Sequence, residues 1–330
     1  MKIALIGRTK FLLDTGKYLL NEGLDIELVI TSKSADHDQI SELDFQNFAK
    51  SANAVFIKTQ NINSKKMSSI FKKMKLDLGI SVNNPLLIKK EILEQFKFGI
   101  LNAHAGDLPK YRGNACPNWA IINNEKTIGL SIHLMTEKLD AGNVLLGKKF
   151  KIKKDTQISD FYIFAEKEIP IMFFSCIRNL DKYLAKSKLQ NEKNILRTYP
   201  RNKIDGKIDW SKNMIEIDRL IRASGPPFFG AFTYLGNSKL FLVECSMLKP
   251  SFNFCAEPGQ VVQRSIDGSI SVACNDGFII LKKITYRNKT YSNPSQLIKS
   301  IHIKLGMDLE EEVEKLHVKL DKILKNMKTK

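Results

Sequence analysis

Asn102 and His104 stand two positions apart in the run Asn102-Ala103-His104-Ala105-Gly106-Asp107-Leu108-Pro109-Lys110-Tyr111-Arg112-Gly113-Asn114, the densest concentration of polar and turn residues in the chain. Two residues apart at the end of an extended segment, both side chains leave on the same side. An asparagine amide suits an oxygen that gains negative charge when an acyl carbon is attacked. A histidine, with a pKa near neutrality, can take the proton of an attacking amine or lend positive character to that oxygen. A charged third group would hold the imidazole in place. The strand-like Gly129-Leu130-Ser131-Ile132-His133-Leu134-Met135 leads into Thr136-Glu137-Lys138-Leu139-Asp140-Ala141-Gly142, which delivers the carboxylate of Asp140 on a glycine-containing turn. The three together supply the donor, the base and the orienting charge that chemistry on an acyl group needs.

Residues 2–7 read as a buried strand, followed by an amphipathic segment with Phe11, Leu12, Tyr18 and Leu19 and a second apolar run over residues 26–30. The alternation continues with strand-like 54–57, a helix-like stretch to Lys75, strand-like 78–82, helix-like 86–96 and strand-like 99–102, with a further helix-like piece from Trp119 to Asn123. Such alternation predicts an α/β fold, a Rossmann-like, mostly parallel sheet with helices on both faces. Ligands of these sheets bind beyond the carboxyl ends of the strands, where Asn102 and His104 are expected just past a strand. Gly7-Arg8-Thr9 holds the equivalent place after the first strand. It lacks the G-x-G-x-x-G pattern, and is either a plain connection or a seat for substrate phosphate at a helix start.

Past residue 198 the character changes. A polar stretch, a helix-like 215–223 and the breaker Gly225-Pro226-Pro227 lead into short strands over 232–235, 240–245, 259–263, 269–274 and 278–284. These predict a small β-rich, OB-like domain, a barrel or an open sheet. The organisation is then a first domain over 1–198, a β-rich domain with its linker over 199–304, and a C-terminal helix over 305–330. In that tail Leu309, Val313, Leu316, Leu320, Ile323 and Met327 alternate in steps of four and three, a heptad seam that could zip to a second copy or pack onto its own body.

Composition narrows the function classes. The formal charge is +17, which fits nucleic-acid binding, yet only nine of the 52 basic residues are arginine and many lysines fall in solvated helix patterns. The five cysteines form no C-x-x-C pair and have no histidine at zinc-finger spacing, so no metal site is expected. The opening apolar run is too short for a signal peptide and no run of about 18 apolar residues occurs, so a cytoplasmic protein with no membrane partner is expected.

The N-x-H block running into L-P-x-Y-R-G, with H-x-M and then D-x-G downstream, resembles the folate-dependent formyltransferases, a family that includes methionyl-tRNA, sugar-nucleotide and glycinamide ribonucleotide formyltransferases. The likeness is strongest over residues 77–146 and recurs at Ile208-Asp209-Trp210-Ser211 and from Ile221-Arg222-Ala223 to Gly230-Ala231-Phe232. It implies that Asn102, His104 and Asp140 form the catalytic triad and that 10-formyltetrahydrofolate is the donor. The pterin would lie against the backbone of Asn83, Asn84, Pro85, Leu86, Leu87 and Ile88, and of the loop from Thr136 through Glu137, Lys138 and Leu139 to Asp140. Asn102 and His104 would stabilise the oxyanion while Asp140 orients the imidazole; which group removes the amine proton stays open.

The chain departs from the family where many members have Ser-Leu-Leu after the histidine, for it has Ala105-Gly106-Asp107. This points to a different acceptor. Gly113-Asn114-Ala115-Cys116-Pro117-Asn118-Trp119 differs from the corresponding run of the tRNA enzymes, and Arg222-Ala223-Ser224-Gly225-Pro226-Pro227-Phe228 resembles the sugar-modifying members. The expected acceptor is a nucleotide-linked amino sugar used in surface polysaccharide or lipopolysaccharide synthesis. Gly7, Arg8, Thr9, Tyr111, Arg112 and Trp119 are its expected contacts, with Phe228 a further stacking candidate. Methionyl-tRNA is the alternative acceptor, the one case in which nucleic acid would be a partner. A homodimer is a further possibility.

Overall fold

The computed structural model describes residues 1–34, 38–307 and 309–328. The chain opens with β1 (Lys2–Gly7), α1 (Thr9–Asn21), β2 (Asp25–Thr31), α2 (Glu42–Ser51), β3 (Val55–Lys58), α3 (Lys65–Met74), β4 (Leu78–Val82), α4 (Lys90–Leu93) and β5 (Ile100–His104). It continues through β6 (Arg112–Gly113), α5 (Cys116–Ile122), β7 (Thr127–Leu134), β8 (Val144–Lys151), α6 (Ile158–Arg178), α7 (Leu180–Lys186) and β9 (Arg197–Thr198). Then follow α8 (Met214–Ser224), β10 (Ala231–Leu235), β11 (Ser238–Leu248), β12 (Val261–Arg264), β13 (Ile270–Cys274), β14 (Gly277–Tyr286), β15 (Lys289–Tyr291) and α9 (Leu309–Lys328).

Seven strands form one sheet in the order β3-β2-β1-β4-β5-β7-β8. The pairs from β3 to β5 are parallel, and β7 and β8 close the edge antiparallel. The apolar run of β1 is buried throughout because both faces are covered. Ala4 and Ile6 join Met67, Phe71, Ile88, Ile92 and Phe96 in one core, whereas Leu5 points to the opposite face, against Gly16 of α1, where Phe48 of α2 also reaches. The winding reverses between β1 and β4, so the crevice at their carboxyl ends is where such a sheet takes its ligand.

Three local expectations need correcting. The helix expected over 86–96 is only the single turn α4. The side chain of Asn63 takes up the backbone here instead: its Nδ2 donates to Leu87 O at 2.9 Å and its Oδ1 accepts from Lys89 N at 2.9 Å, which holds 84–89 as an open loop. Asn102 and His104 do not follow β5 but are part of it, because the ladder to β7 pairs Asn102 with His133 and His104 with Ser131. The helix placed at 119–123 begins earlier, at Cys116, where Pro117 fits the first turn whose N–H groups need no partner within the helix.

The chain divides into two compact units, residues 1–201 and 202–330. Residues 197–201 belong to the first because β9 pairs with β6, Trp119 Nε1–H donates to Tyr199 O at 3.0 Å and the Arg201 guanidinium lies 5.4 Å from the Trp119 ring centre. The second unit holds an antiparallel sheet in the order β10-β11-β14-β13-β12, with β15 also on β14; among the described strands β10 and β12 are not paired, so the sheet is open. Trp210, Ile217 and Ile221 pack into its core with Leu240, Ile270 and Leu281, and Trp210 Nε1–H donates to Thr233 Oγ1 at 2.9 Å. α9 carries the expected heptad spacing; Asp308, Thr329 and Lys330 of the expected tail lie outside the described residues. No helix among the described residues is long and apolar enough to cross a membrane.

Candidate active site

β5 carries Asn102 and His104, and the loop after β7 carries Asp140, so a strand pair brings residues 38 apart in the chain to one place. His104 Nδ1 lies 3.5 Å from Asp140 Oδ2, with both side chains nearly withdrawn from solvent. Its other nitrogen, Nε2, donates to Tyr111 O at 2.6 Å and lies 3.7 Å from Cys116 Sγ. Burial works against a charge on this ring. The Asp140 carboxylate, the Cys116 sulfur and the Tyr111 carbonyl outweigh it, and the His104 pKa is held up at about 9. With acceptors at both nitrogens, His104 is a cation at neutral pH.

His133 completes the group. It stands opposite Asn102 across the ladder, and its Nε2 is 3.1 Å from Asn102 Nδ2 and 3.7 Å from Asp140 Oδ1. Burial, then the positive charge of His104, push its pKa well down, so this ring is neutral. Its Nδ1–H donates to Leu134 O at 3.0 Å, which leaves Nε2 as an acceptor for an Asn102 amide hydrogen. One face of the Asn102 amide is thereby fixed.

Asp140 is held from several sides. Its backbone lies in the left-handed region at φ 50°, its Oδ2 accepts from Gly113 N–H at 2.9 Å, and its carbonyl accepts from Gln190 Nε2 at 2.7 Å. Glycine is required two residues on, since a Cβ at Gly142 would lie 1.7 Å from Leu134 O. Gly106 is likewise forced: a Cβ there would lie 2.5 Å from His104 Nε2 and 2.4 Å from Tyr111 O. The departure Ala105-Gly106-Asp107 thus makes room for the bond between His104 and Tyr111 O.

The N–H of Lys90, which opens α4 after the first of the two loops expected to receive the pterin, donates to Glu137 Oε1 of the second at 3.3 Å. In the first loop Leu86 and Leu87 are exposed, Ile88 is core, and Asn84 Nδ2 donates to Leu86 O at 2.6 Å. Thr136 Oγ1 donates to Lys138 O at 3.1 Å in the second loop. Asn83 Nδ2 donates to Thr9 Oγ1 at 3.0 Å, which joins the first loop to the Gly7-Arg8-Thr9 turn; Arg8 itself is ion-paired with Asp38 at 3.8 Å.

Two residues expected at the acceptor face inward instead. Tyr111 is buried and its hydroxyl donates to Glu125 Oε1 at 2.9 Å. Arg112 is buried against Gln190 and Glu192. Trp119 is half-buried and is engaged by Tyr199 O and Arg201. The hydroxyl of Tyr111 and the guanidinium of Arg112 are spent on holding the site's frame. His133 stood inside the H-x-M motif, but its register opposite Asn102 is set by the sheet; Gln190, from an irregular segment, carries no local signal.

The family model described as "Formyl transferase" matches residues 1–172, and that described as "Formyl transferase, C-terminal domain" matches residues 201–302. A methionyl-tRNA formyltransferase of Clostridium tetani is 29% identical over 315 residues, covering 94% of this chain and 100% of that protein. The bifunctional polymyxin resistance protein ArnA of Wigglesworthia glossinidia brevipalpis is 34% identical over 212 residues, 62% of this chain and 31% of that protein. Among solved structures, WlaRD, a sugar 3N-formyl transferase with dTDP and 5-N-formyl-THF, aligns with a TM-score of 0.60 at 22% identity over 88% of this chain and 98% of its own. The N-formyltransferase of Helicobacter canadensis, in complex with folinic acid and dTDP-3-aminofucose, aligns at 0.61 and 18% identity over 85% and 98%. With the family's catalytic-domain model spanning just over half of its length, this chain belongs to the formyl transferase family and is a formyl-transfer enzyme.

Proposed function

We propose that the protein is a cytoplasmic N-formyltransferase that moves the formyl group of 10-formyltetrahydrofolate onto the amine of a nucleotide-linked amino sugar destined for a surface polysaccharide. The observation that carries the transfer chemistry is the convergence of Asn102, cationic His104 and Asp140 at the carboxyl edge of the parallel sheet. A neutral amine forms a bond to the formyl carbon, the bond from that carbon to the folate nitrogen breaks, and the amine proton ends on that nitrogen. Asn102 donates to the developing oxyanion and His104 contributes its charge. Since His104 is already protonated, it is not the base that first takes the amine proton.

The sugar reading of the acceptor rests on the Ala105-Gly106-Asp107 run and on structural neighbours solved with dTDP and with dTDP-3-aminofucose. The start of α1 after Gly7-Arg8-Thr9, with no acidic residue in its first turn, suits the diphosphate. A second reading, methionyl-tRNA formylation, is favoured by the full-length relatives of that name and by the charge of +17. Incubation with 10-formyltetrahydrofolate and either a panel of dTDP- and UDP-amino sugars or Met-tRNA separates the two. Formylated sugar by mass spectrometry is expected; product from Met-tRNA alone overturns the sugar assignment.

A second copy of this chain is the partner that fits α9. Val313, Leu316, Leu320, Ile323 and Met327 are exposed along it. Its sequence places Glu310, Glu311, Glu312 and Glu314 before Val318 and Lys319, Lys322, Lys325 and Lys328 after it. Antiparallel pairing sets acidic half against basic half and matches Val313 with Ile323 and Leu316 with Leu320.

A further inference from the structure

We propose that Gln190 is a positioning residue, whose carboxamide clamps the Asp140 turn and ties it to the buried Arg112 side chain. The proposal rests on the catalytic reading of Asp140 and His104 given above. Gln190 belongs to residues 173–200, which neither of the two matched family models covers.

Every hydrogen-bonding group the clamp needs is in place. Gln190 is 5% exposed; its Nε2 donates one hydrogen to Asp140 O and one to Gly142 O, both at 2.7 Å. Its Oε1 accepts from Arg112 Nε at 2.9 Å. Arg112 is itself fixed, since its Nη2 donates to Glu192 Oε1 at 3.0 Å and its backbone N–H to Leu196 O at 2.9 Å in the β6–β9 ladder. The next residue of β6, Gly113, gives its N–H to Asp140 Oδ2. The carboxylate and the main chain of Asp140 are thus referred to the same two residues, Arg112 and Gly113, one directly and one through Gln190.

The turn needs such a restraint. Asp140 has φ 50°, a conformation that a residue with a Cβ holds only when its surroundings over-determine it. On one side Gly142 abuts Leu134 O at the end of β7; on the other, Gln190 holds the carbonyls of residues 140 and 142. No other side chain of this length offers two donors and an acceptor on one planar head. Glutamate lacks the donors and asparagine falls a methylene short. Released from the clamp, the turn relaxes and the Asp140 carboxylate drifts from His104 Nδ1.

The test uses the full chain with Gln190→Met, Gln190→Glu and Arg112→Lys. The readouts are thermal unfolding, the His104 imidazole titration by NMR without substrate, and steady-state kinetics. Gln190→Met is expected to remain folded, to lower the His104 midpoint by at least one pH unit and to lower kcat about twofold or more at pH 8. Gln190→Glu, without donors, is expected not to rescue it, and Arg112→Lys to shift the midpoint in the same direction by less. An unmoved His104 midpoint in folded Gln190→Met, or wild-type kinetics in Gln190→Glu, overturns the proposal. Should Gln190→Met fail to fold, an unmoved midpoint in Arg112→Lys overturns it instead. A shifted midpoint in a protein that formylates neither sugar nor tRNA upholds the clamp and removes the functional reading, so the two fail separately.

Discussion

Replacing Asp140 by asparagine removes one charge and almost no volume, so it isolates what the carboxylate does for His104. The two groups are 3.5 Å apart and both are buried. At an effective dielectric constant of about 20, their attraction is about 5 kcal/mol, or roughly 3.5 pK units. Without it, burial regains the upper hand and the His104 pKa drops from about 9 to around 5.5. At pH 7.5 the cationic fraction then falls on the order of 100-fold, and kcat with it. The assay is formyl transfer from pH 5.5 to 9.5 on one acceptor with both proteins, together with NMR titration of His104. Asp140→Asn should recover part of its activity toward pH 5.5, relative to wild type, as the imidazole regains its proton. The linked stability has a definite sign. The folded pKa lies above the unfolded value of 6.5, so the His104 contribution is complete below pH 6.5 and is lost as pH rises through about 9. A variant profile of unchanged shape, or a wild-type His104 that is neutral at pH 7, would refute the reasoning.

Gly106→Ala places a methyl 2.5 Å from His104 Nε2 and should lower kcat at least tenfold by turning the ring away from Tyr111 O; wild-type turnover would show that the ring has room to move. Trp210→Ala removes a buried ring and its bond to Thr233 Oγ1, with an expected loss of about 3–5 kcal/mol in urea unfolding of the second unit; a change below about 1 kcal/mol would place Trp210 outside its core. Leu316→Glu combined with Ile323→Glu puts charge into the exposed seam of α9, and light scattering should show a wild-type dimer converted to monomer. A wild-type monomer at 100-fold higher concentration than the assay would remove the second copy as partner.

The sequence alone determined the type of sheet and singled out Asn102, His104 and Asp140 as candidates. Continuous apolar runs such as that of β1 belong to strands covered on both faces, and N-x-H and D-x-G are each a pattern within three residues. The seam of α9 was equally readable, because its period is local. Only the tertiary structure decided which side chains face the cleft. Tyr111 and Arg112 sit in the most chemically suggestive run of the chain, yet Glu125, Gln190 and Glu192 draw them inward. His133 meets Asn102 only through the register of β5 with β7, and Gln190 reaches Asp140 across 50 residues of chain. The charge on His104 is likewise a tertiary property. A histidine alone titrates near neutrality, and it is the fold that sets an aspartate and a backbone carbonyl at its two nitrogens and excludes the water that would otherwise screen them.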